Sequence, residues 1–374
     1  MSPAAAQPSQ APAAVKTATP APAPTASPTP SPRPTPGHEV YGFVPYWEMD
    51  DSIAVHLRGT ALTTLALFGV TNTTGGAIAT NEGGFRQVTG NLGKRLIREA
   101  HERGVRVELV FTSFGFARNK RFFADLERQD TTISALVKLA DTLGVDGIAV
   151  DVELLDLELV PAYGAFVGRL RDAVVAADAS DRVTAACTGS ITGATMAAAA
   201  VGGGVDRVFL MGYDYHWADT VPGASAPIHR WDDNGGDLVR SLDRYEAFGV
   251  PVERTLLGLP LYGMSWPVAE PTIWAPSTGS GEPWILRYHR DVLLSRSIVP
   301  QRDDVEVVEF YAFASDGPAW RAVYVDSPAT LASKLALANE RGFAGAGFWA
   351  IGYERGLPAY TKLIARFAAG KPMR

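Results

Sequence analysis

From Glu39 onward, short apolar runs bounded by polar or turn residues alternate with longer stretches in which apolar residues recur every three or four positions. The first pattern is what a strand buried on both faces leaves in a sequence, and the second is what a half-buried helix leaves. Eight runs are strand candidates: VYGFVPYW from Val40, LTTLALFGV from Leu62, VRVELVFTSFGF from Val105, VDGIAVDVE from Val145, RVTAACTGS from Arg182, VDRVFLMGYDYH from Val205, RTLLGLPLYG from Arg254 and FAGAGFWAIG from Phe343. Between them lie helical faces such as Leu92, Leu96, Ile97 and Ala100, or Leu331, Leu335 and Ala338 behind the start signals Ser327 and Pro328. Strands alternating with helices predict a parallel sheet, and eight such units predict an α/β fold of the (β/α)8 TIM barrel type rather than an open sheet.

The alternation is uneven in one place. About sixty residues, 263–324, separate the seventh and eighth strands, far more than an ordinary connection, and they contain the strand-like pieces VEVVEFYAF and WRAVYV and the tryptophans Trp266, Trp274, Trp284 and Trp320. This predicts a small α+β insertion between strands 7 and 8. Residues 1–37 are almost entirely Pro, Ala, Thr, Ser and Gln, a composition with too little apolar surface to fold, so a disordered tether is expected there and one large domain over 38–374. No positively charged start followed by an apolar core marks a signal peptide. Tethers of this kind usually separate a domain from an export signal, an anchor or a wall-binding module, so an extracellular or cell-envelope location is expected.

Composition narrows the function classes. The chain has 374 residues, is 47% hydrophobic and carries a net charge of −6, with no Lys/Arg cluster interleaved with aromatics, so nucleic acid is not expected as a partner. No apolar run is long enough to span a bilayer, and membrane insertion is not expected. The lone Cys187, inside the apolar run VTAACT, reads as a small core residue. The histidines are scattered without paired spacing, and no metal or cofactor is expected. The glycine run Gly202–Gly204 precedes a strand instead of following one, the wrong context for a phosphate loop. A monomer is expected.

The candidate chemistry lies on the fourth strand. Alternate strand side chains share a face, so Ala149, Asp151 and Glu153 point one way, into the barrel, while Ile148, Val150 and Val152 point outward to the helices. The acids fall at the strand's C-terminal end, where βα loops of a barrel build active sites. Two carboxyls two residues apart on one face are roughly 7 Å apart at the backbone, and their repulsion raises one pKa, leaving an acid beside an ionised partner as glycosidic cleavage requires. An acidic strand end that only caps helices or pairs with arginine is the structural alternative.

Asp146, Gly147, Asp151 and Glu153 match a DGxDxDxE strand, and on them the chain resembles glycoside hydrolase family 18, the chitinases and their peptidoglycan-active relatives. Ala149 stands where that family usually has its middle Asp. The resemblance extends to Met211, Gly212, Tyr213 and Asp214, similar to the family's MxYD segment, and to Trp349 in GFWAIG. It implies that Glu153 protonates the leaving oxygen, Asp151 holds the acetamido N–H, Tyr213 and Asp214 bind and orient the acetamido group, and Trp349 forms the floor under the sugar. Asp146 and Gly147 support the strand. Tyr46, Trp47, Tyr262 and Trp266 are implied as stacking or cleft-wall groups; Tyr215 and His216, which follow Asp214, are expected either to line the cleft or to be ordinary rim residues. Ser113, Phe114, Gly115 and Phe116 stand where chitinases tend to have SxGG, and Met264 replaces a common Arg, which leans toward the relatives acting on peptidoglycan or spore cortex. The implied partner is an N-acetylglucosamine-containing polysaccharide, chitin oligomers or peptidoglycan, cleaved at β-1,4 linkages with retention. A sugar-binding, inactive barrel is the rival, as is an unrelated barrel enzyme. With alanine at 149, Asp151 is expected to couple only to Glu153, to stay ionised, and to raise the pKa of Glu153.

Overall fold

A computed structural model describes residues 37–314 and 320–373. The run 1–37 expected to be a tether thus lies outside the described residues except for Gly37. The barrel strands are β1 (Glu39–Pro45), β2 (Thr64–Thr71), β3 (Arg106–Phe114), β4 (Gly147–Glu153), β5 (Arg182–Thr188), β6 (Arg207–Met211) and β7 (Thr255–Pro260). The insertion supplies β8 (Gly263–Val268), β9 (Glu282–Trp284), β10 (Gln301–Asp303), β11 (Val308–Ala314) and β12 (Trp320–Val325), and β13 (Gly345–Trp349) is the eighth barrel strand. The parallel ladder closes in the order β1-β13-β7-β6-β5-β4-β3-β2, so the eight runs read from hydrophobic pattern are the eight staves.

Alternation sorts their side chains as expected. Val107, Leu109 and Phe111 of β3, Ile148, Val150 and Val152 of β4, and Val183, Ala185 and Cys187 of β5 face the helical layer in one continuous apolar cluster. Tyr41, Phe43, Ala66, Phe68, Val110, Ala149, Ala186, Phe209, Met211 and Leu256 fill the barrel interior in a second. Large and small residues interlock there: an added Cβ at Gly258 or Gly347 would meet the Phe209 ring at 2.4 and 2.5 Å, so those two staves are bare where the ring crosses the axis.

The helices carry the start signals their sequences advertise. Ser327 accepts a hydrogen bond from the Thr330 N–H at the head of Pro328–Glu340, and Asp125 and Asp237 do the same for Leu126–Leu143 and Leu238–Ala247. Among the described residues, no helix is long and apolar enough to cross a membrane.

The insertion is a five-stranded antiparallel sheet, β10-β11-β12-β8-β9, with the helix Leu286–Ser295. Its own core takes Trp284, Leu293, Phe313, Val323 and Val325. The long loop after β6 is fastened to this unit by a buried pair, His216 Nε2 with Glu306 Oε1 at 2.8 Å, both side chains fully enclosed. Trp231 of the same loop stacks on Trp274 at 5.4 Å.

Candidate active site

Strand β4 is fixed at both ends. At its foot the Asp146 carboxylate accepts from the Val107 N–H at 2.7 Å and faces His101 Nε2 at 2.9 Å, tying it to β3 and to the helix Asn91–His101 before that strand. Gly147 follows with φ +152°, and a Cβ there would lie 2.1 Å from the Arg182 carbonyl oxygen of β5, so only glycine lets the two strands pair. These two motif residues set the register and lie far below the chemistry. At the upper end the Glu153 carbonyl accepts from Asn119 Nδ2 at 2.6 Å and from the Gly115 N–H at 3.1 Å, while Ser113 Oγ donates to Asn119 Oδ1 at 2.7 Å. Leu154 then turns the chain sharply with φ +57°. Asn119, fully buried, is a positioning residue the sequence does not advertise, because a lone Asn on a helix ordinarily faces water.

Register carries Asp151 and Glu153 to the top of the barrel interior, opposite Thr112 and Phe114 of β3. They open into a cleft of about 410 Å³ whose floor and walls include Tyr46, Trp47, Phe68, Phe114, Tyr213, Asp214 and Trp349. A larger open groove of about 740 Å³ lies between the last two long helices, and among the described residues Glu340 is its only carboxylate side chain. The cleft is the site because the paired acids are there.

The aromatic wall is a packed set. Phe68 meets Trp349 edge-on at 4.8 Å, Trp47 meets Phe68 at 5.8 Å, and Phe114 stacks on Phe68 at 6.3 Å. Trp47 Nε1 donates to the Tyr353 hydroxyl at 3.2 Å, which holds the half-exposed indole over the opening. The sequence reading assigns neither Phe68 nor Phe114 to the cleft. The alternation used for β4 applies equally to Ala66 and Phe68, and would have turned Phe68 inward.

Burial dominates the electrostatics. Asp151 is enclosed, its Oδ1 makes no hydrogen bond, and burial followed by the Glu153 charge pushes its pKa well above the carboxylate range. Glu153 is also raised, by burial first and the Asp214 charge second. The expected ionised Asp151, hydrogen-bonded to a protonated Glu153, is therefore not what the geometry holds: no hydrogen bond joins the two, and burial favours the neutral form of Asp151. Asp214, with φ +60°, opens to solvent at the cleft mouth while protein surrounds its carboxyl on the other sides. Burial raises it, opposed by donation from the Tyr262 hydroxyl, a short contact, and from Ser225 Oγ at 3.4 Å. The Tyr213 hydroxyl is held protonated, its pKa raised well above 10 by burial and then by the charges of Asp151, Asp214 and Glu153.

Three candidate lining residues sit elsewhere. Trp266 is wholly buried, packed edge-on at 6.0 Å to Tyr324 and under the Gly281 backbone, so it belongs to the large apolar core that the insertion sheet shares with the barrel's outer layer and cannot stack on a ligand. Tyr215 turns away from the cleft to donate to Ser241 Oγ at 2.7 Å, and His216 is consumed by Glu306. Tyr262 is nearly buried, donates to Asp214 and lines the smaller pocket beside the cleft. The reason is common to all: aromatic residues near a strand end serve a packed core as readily as a ligand. Beside the cleft, and sharing Asp214 and Trp349 with it, is an apolar pocket of about 240 Å³ walled by Met264, Pro283 and Ile285 of the insertion with Trp217 and Tyr353. Met264 thus presents an apolar wall where an arginine would have placed a charge.

Comparison with known proteins agrees with this geometry. A sequence model of the family described as Glycosyl hydrolases family 18 matches residues 40–354. Chitinase C of Streptomyces lividans is 28% identical over 156 residues, 39% of this chain, and the match spans only 24% of that relative's length. Among solved structures, the Bacillus cereus spore cortex-lytic enzyme SleL superposes with a TM-score of 0.71 at 18% identity, covering 88% of this chain and 74% of that one. The chitinase-like agglutinin RobpsCRA of Robinia pseudoacacia superposes with a TM-score of 0.72 at 18% identity, covering 87% of this chain and 98% of that one.

Proposed function

The chain belongs to glycosyl hydrolase family 18, and from that premise we propose that it is a retaining glycoside hydrolase cleaving β-1,4 linkages next to N-acetylglucosamine in chitin oligomers or peptidoglycan. The observation that carries the reading is the set of Asp151, Glu153, Tyr213 and Asp214 around one cleft floored by Trp349. Glu153, whose raised pKa keeps a proton available, gives it to the leaving oxygen. The acetamido oxygen of the same sugar attacks the anomeric carbon, so the glycosidic bond breaks as a C–O bond to that oxygen forms and the nitrogen takes up positive charge, the substrate-assisted exception to the two-carboxylate scheme. Asp151 accepts the acetamido N–H, the protonated Tyr213 hydroxyl donates to the acetamido oxygen, and Asp214, braced by Tyr262, orients the group. Water then opens the oxazolinium ring with Glu153 as base. Trp349 and its aromatic neighbours offer a flat apolar face to the C–H side of the sugar. We place this activity outside the cytoplasm, on a cell wall or envelope polymer, from the composition of residues 1–37.

The alternative is a sugar-binding barrel without turnover, which Ala149 and the likeness to an agglutinin favour. Mass spectrometry of products from chitohexaose and from purified peptidoglycan, incubated side by side with the protein, separates the readings. Shortened N-acetylglucosamine-ended products support hydrolysis and name the polymer. Binding to either without any product supports the lectin-like reading.

A further inference from the structure

The barrel interior beneath Asp151 holds a second carboxyl that the mechanism above does not use. Glu108 points inward from β3, almost fully buried, and accepts a hydrogen bond from the Tyr41 hydroxyl of β1 at 2.7 Å. Between this pair and Asp151 lies Ala149, flanked in register by Val110 on one side and Thr184 on the other. Two enclosed polar atoms border that small residue: Asp151 Oδ1 above, which makes no hydrogen bond, and Thr184 Oγ1 beside it, which makes no close hydrogen bond but lies near enough to the Glu108 carboxyl and the Tyr41 hydroxyl to act on both. Buried polar atoms are rarely left unpaired, and two of them around one alanine mark a place for a water molecule.

We infer that Glu108 is the proton partner of Asp151 in this chain, linked to it through the Tyr41 hydroxyl and a water seated over Ala149. The inference rests on the substrate-assisted reading. As positive charge grows on the acetamido nitrogen, Asp151 is more useful ionised than neutral, and its proton must go somewhere. It passes to the water, the water gives one of its own to the Tyr41 oxygen, and Tyr41 gives its hydroxyl proton to the Glu108 carboxylate. The net change is Asp151 acid plus Glu108 carboxylate becoming Asp151 carboxylate plus Glu108 acid, and it reverses when water opens the ring. The surroundings suit the acceptor. Burial lifts Glu108 to about 7, against the hydrogen bond from Tyr41, a weaker pull from Thr184, and the charges of Arg106 on its own strand and Arg182 on β5. Arg207 of β6, itself paired with Glu39 of β1, adds a further positive charge, and Asp151 of β4 acts on the Tyr41 hydroxyl from above. A buried carboxyl near neutrality both accepts and returns a proton at working pH.

Glu108 is a positioning residue, and its test needs readouts that simple misfolding would not produce. Glu108→Gln keeps an acceptor for Tyr41 but cannot take a proton. On chitotetraose it should lower kcat at least tenfold with KM within about twofold, and should change the acidic limb of the kcat profile. Adding Ala149→Asp to that variant should return kcat to within about threefold of wild type, because a carboxyl beside Asp151 makes Glu108 unnecessary. Tyr41→Phe breaks the same link without touching the carboxyl and serves if Glu108→Gln does not fold. An independent measurement does not depend on turnover: in protein with 13C-labelled glutamate carboxyls, binding the thiazoline analogue of N-acetylglucosamine should move the Glu108 titration to higher pH. Wild-type kcat and pH profile in Glu108→Gln, or a Glu108 titration unmoved by the bound thiazoline, overturns the inference. A wild-type protein that cleaves nothing yet shows the thiazoline-induced shift overturns only the proposed hydrolysis.

Discussion

Removing the Glu306 carboxylate should loosen the fold and the site together. Its Oε1 faces His216 Nε2 at 2.8 Å and accepts from the Trp231 N–H at 3.3 Å, while Oε2 accepts from the Ala224 N–H at 2.6 Å. His216 Nδ1 faces the Val221 carbonyl at 2.8 Å, so each ring nitrogen meets an oxygen. Glu306→Ala leaves one imidazole nitrogen of His216 and two backbone donors enclosed without partners. Breaking one half of a buried pair costs about 3–5 kcal/mol. Unfolding entropy near 2.1 cal/mol/K per residue gives on the order of 0.7 kcal/mol/K for a domain of this length, so Tm should fall by about 4–7 °C. Because the loop so anchored begins next to Tyr213 and Asp214, KM for chitotetraose should rise in the same variant. Calorimetry of Glu306→Ala beside the exposed control Glu253→Ala, expected to change stability by less than about 0.5 kcal/mol, makes the measurement. A Tm within about 1 °C of wild type for Glu306→Ala would show that the pair does not hold the loop to the insertion.

Other consequences follow from single residues. Gly147→Ala should prevent recovery of folded protein or lower Tm far more than Gly115→Ala, since both positions have positive φ but only the first places a Cβ, at 2.1 Å, against backbone; thermal melts of the two variants decide it. Trp266→Ala should cost about 3–5 kcal/mol in denaturant titrations with KM for chitotetraose nearly unchanged, whereas Trp349→Ala should raise KM about tenfold or more with a smaller loss of stability. Glu108 supplies a pH dependence of stability. Its folded pKa of about 7 exceeds the ordinary 4.5, so the folded state binds the proton more tightly, and the stabilisation present below about pH 4.5 is lost as pH rises to about 7. The span corresponds to about 3 kcal/mol, and Glu108→Gln should remove that part of the slope when urea unfolding is compared at pH 4.5 and 7.5.

The frame was legible because each stave obeys one simple rule. Continuous apolar runs such as VRVELVFTSF mark strands covered on both faces, and the period of two within VDGIAVDVE sends Asp151 and Glu153 to the barrel interior without reference to any other residue. What resisted reading are side chains whose fate is decided across the fold. Trp266 and Tyr262 lie four residues apart at the same strand junction, yet one is sealed beneath the insertion and the other braces Asp214, because β8 turns away from the barrel into its own sheet. His216 finds Glu306 ninety residues away. Glu108 reads as a polar interruption in a strand until the closed barrel brings Tyr41 against it. Asp151 differs from expectation for the same kind of reason: spacing along one strand shows a neighbouring charge, but only the packed interior shows how little solvent reaches the carboxyl.

The central claim is cleavage through the substrate's own acetamido group with Glu153 as acid, and the anomeric form of the freshly released reducing end tests it most directly. Proton NMR of chitohexaose in the first minutes of reaction, before mutarotation equalises the anomers, should show the β-anomer of the new reducing end in excess. Under the same conditions Glu153→Gln should release product at least a hundredfold more slowly while still binding the oligosaccharide. An excess of the α-anomer, or release by Glu153→Gln within a few fold of wild type, would contradict the account.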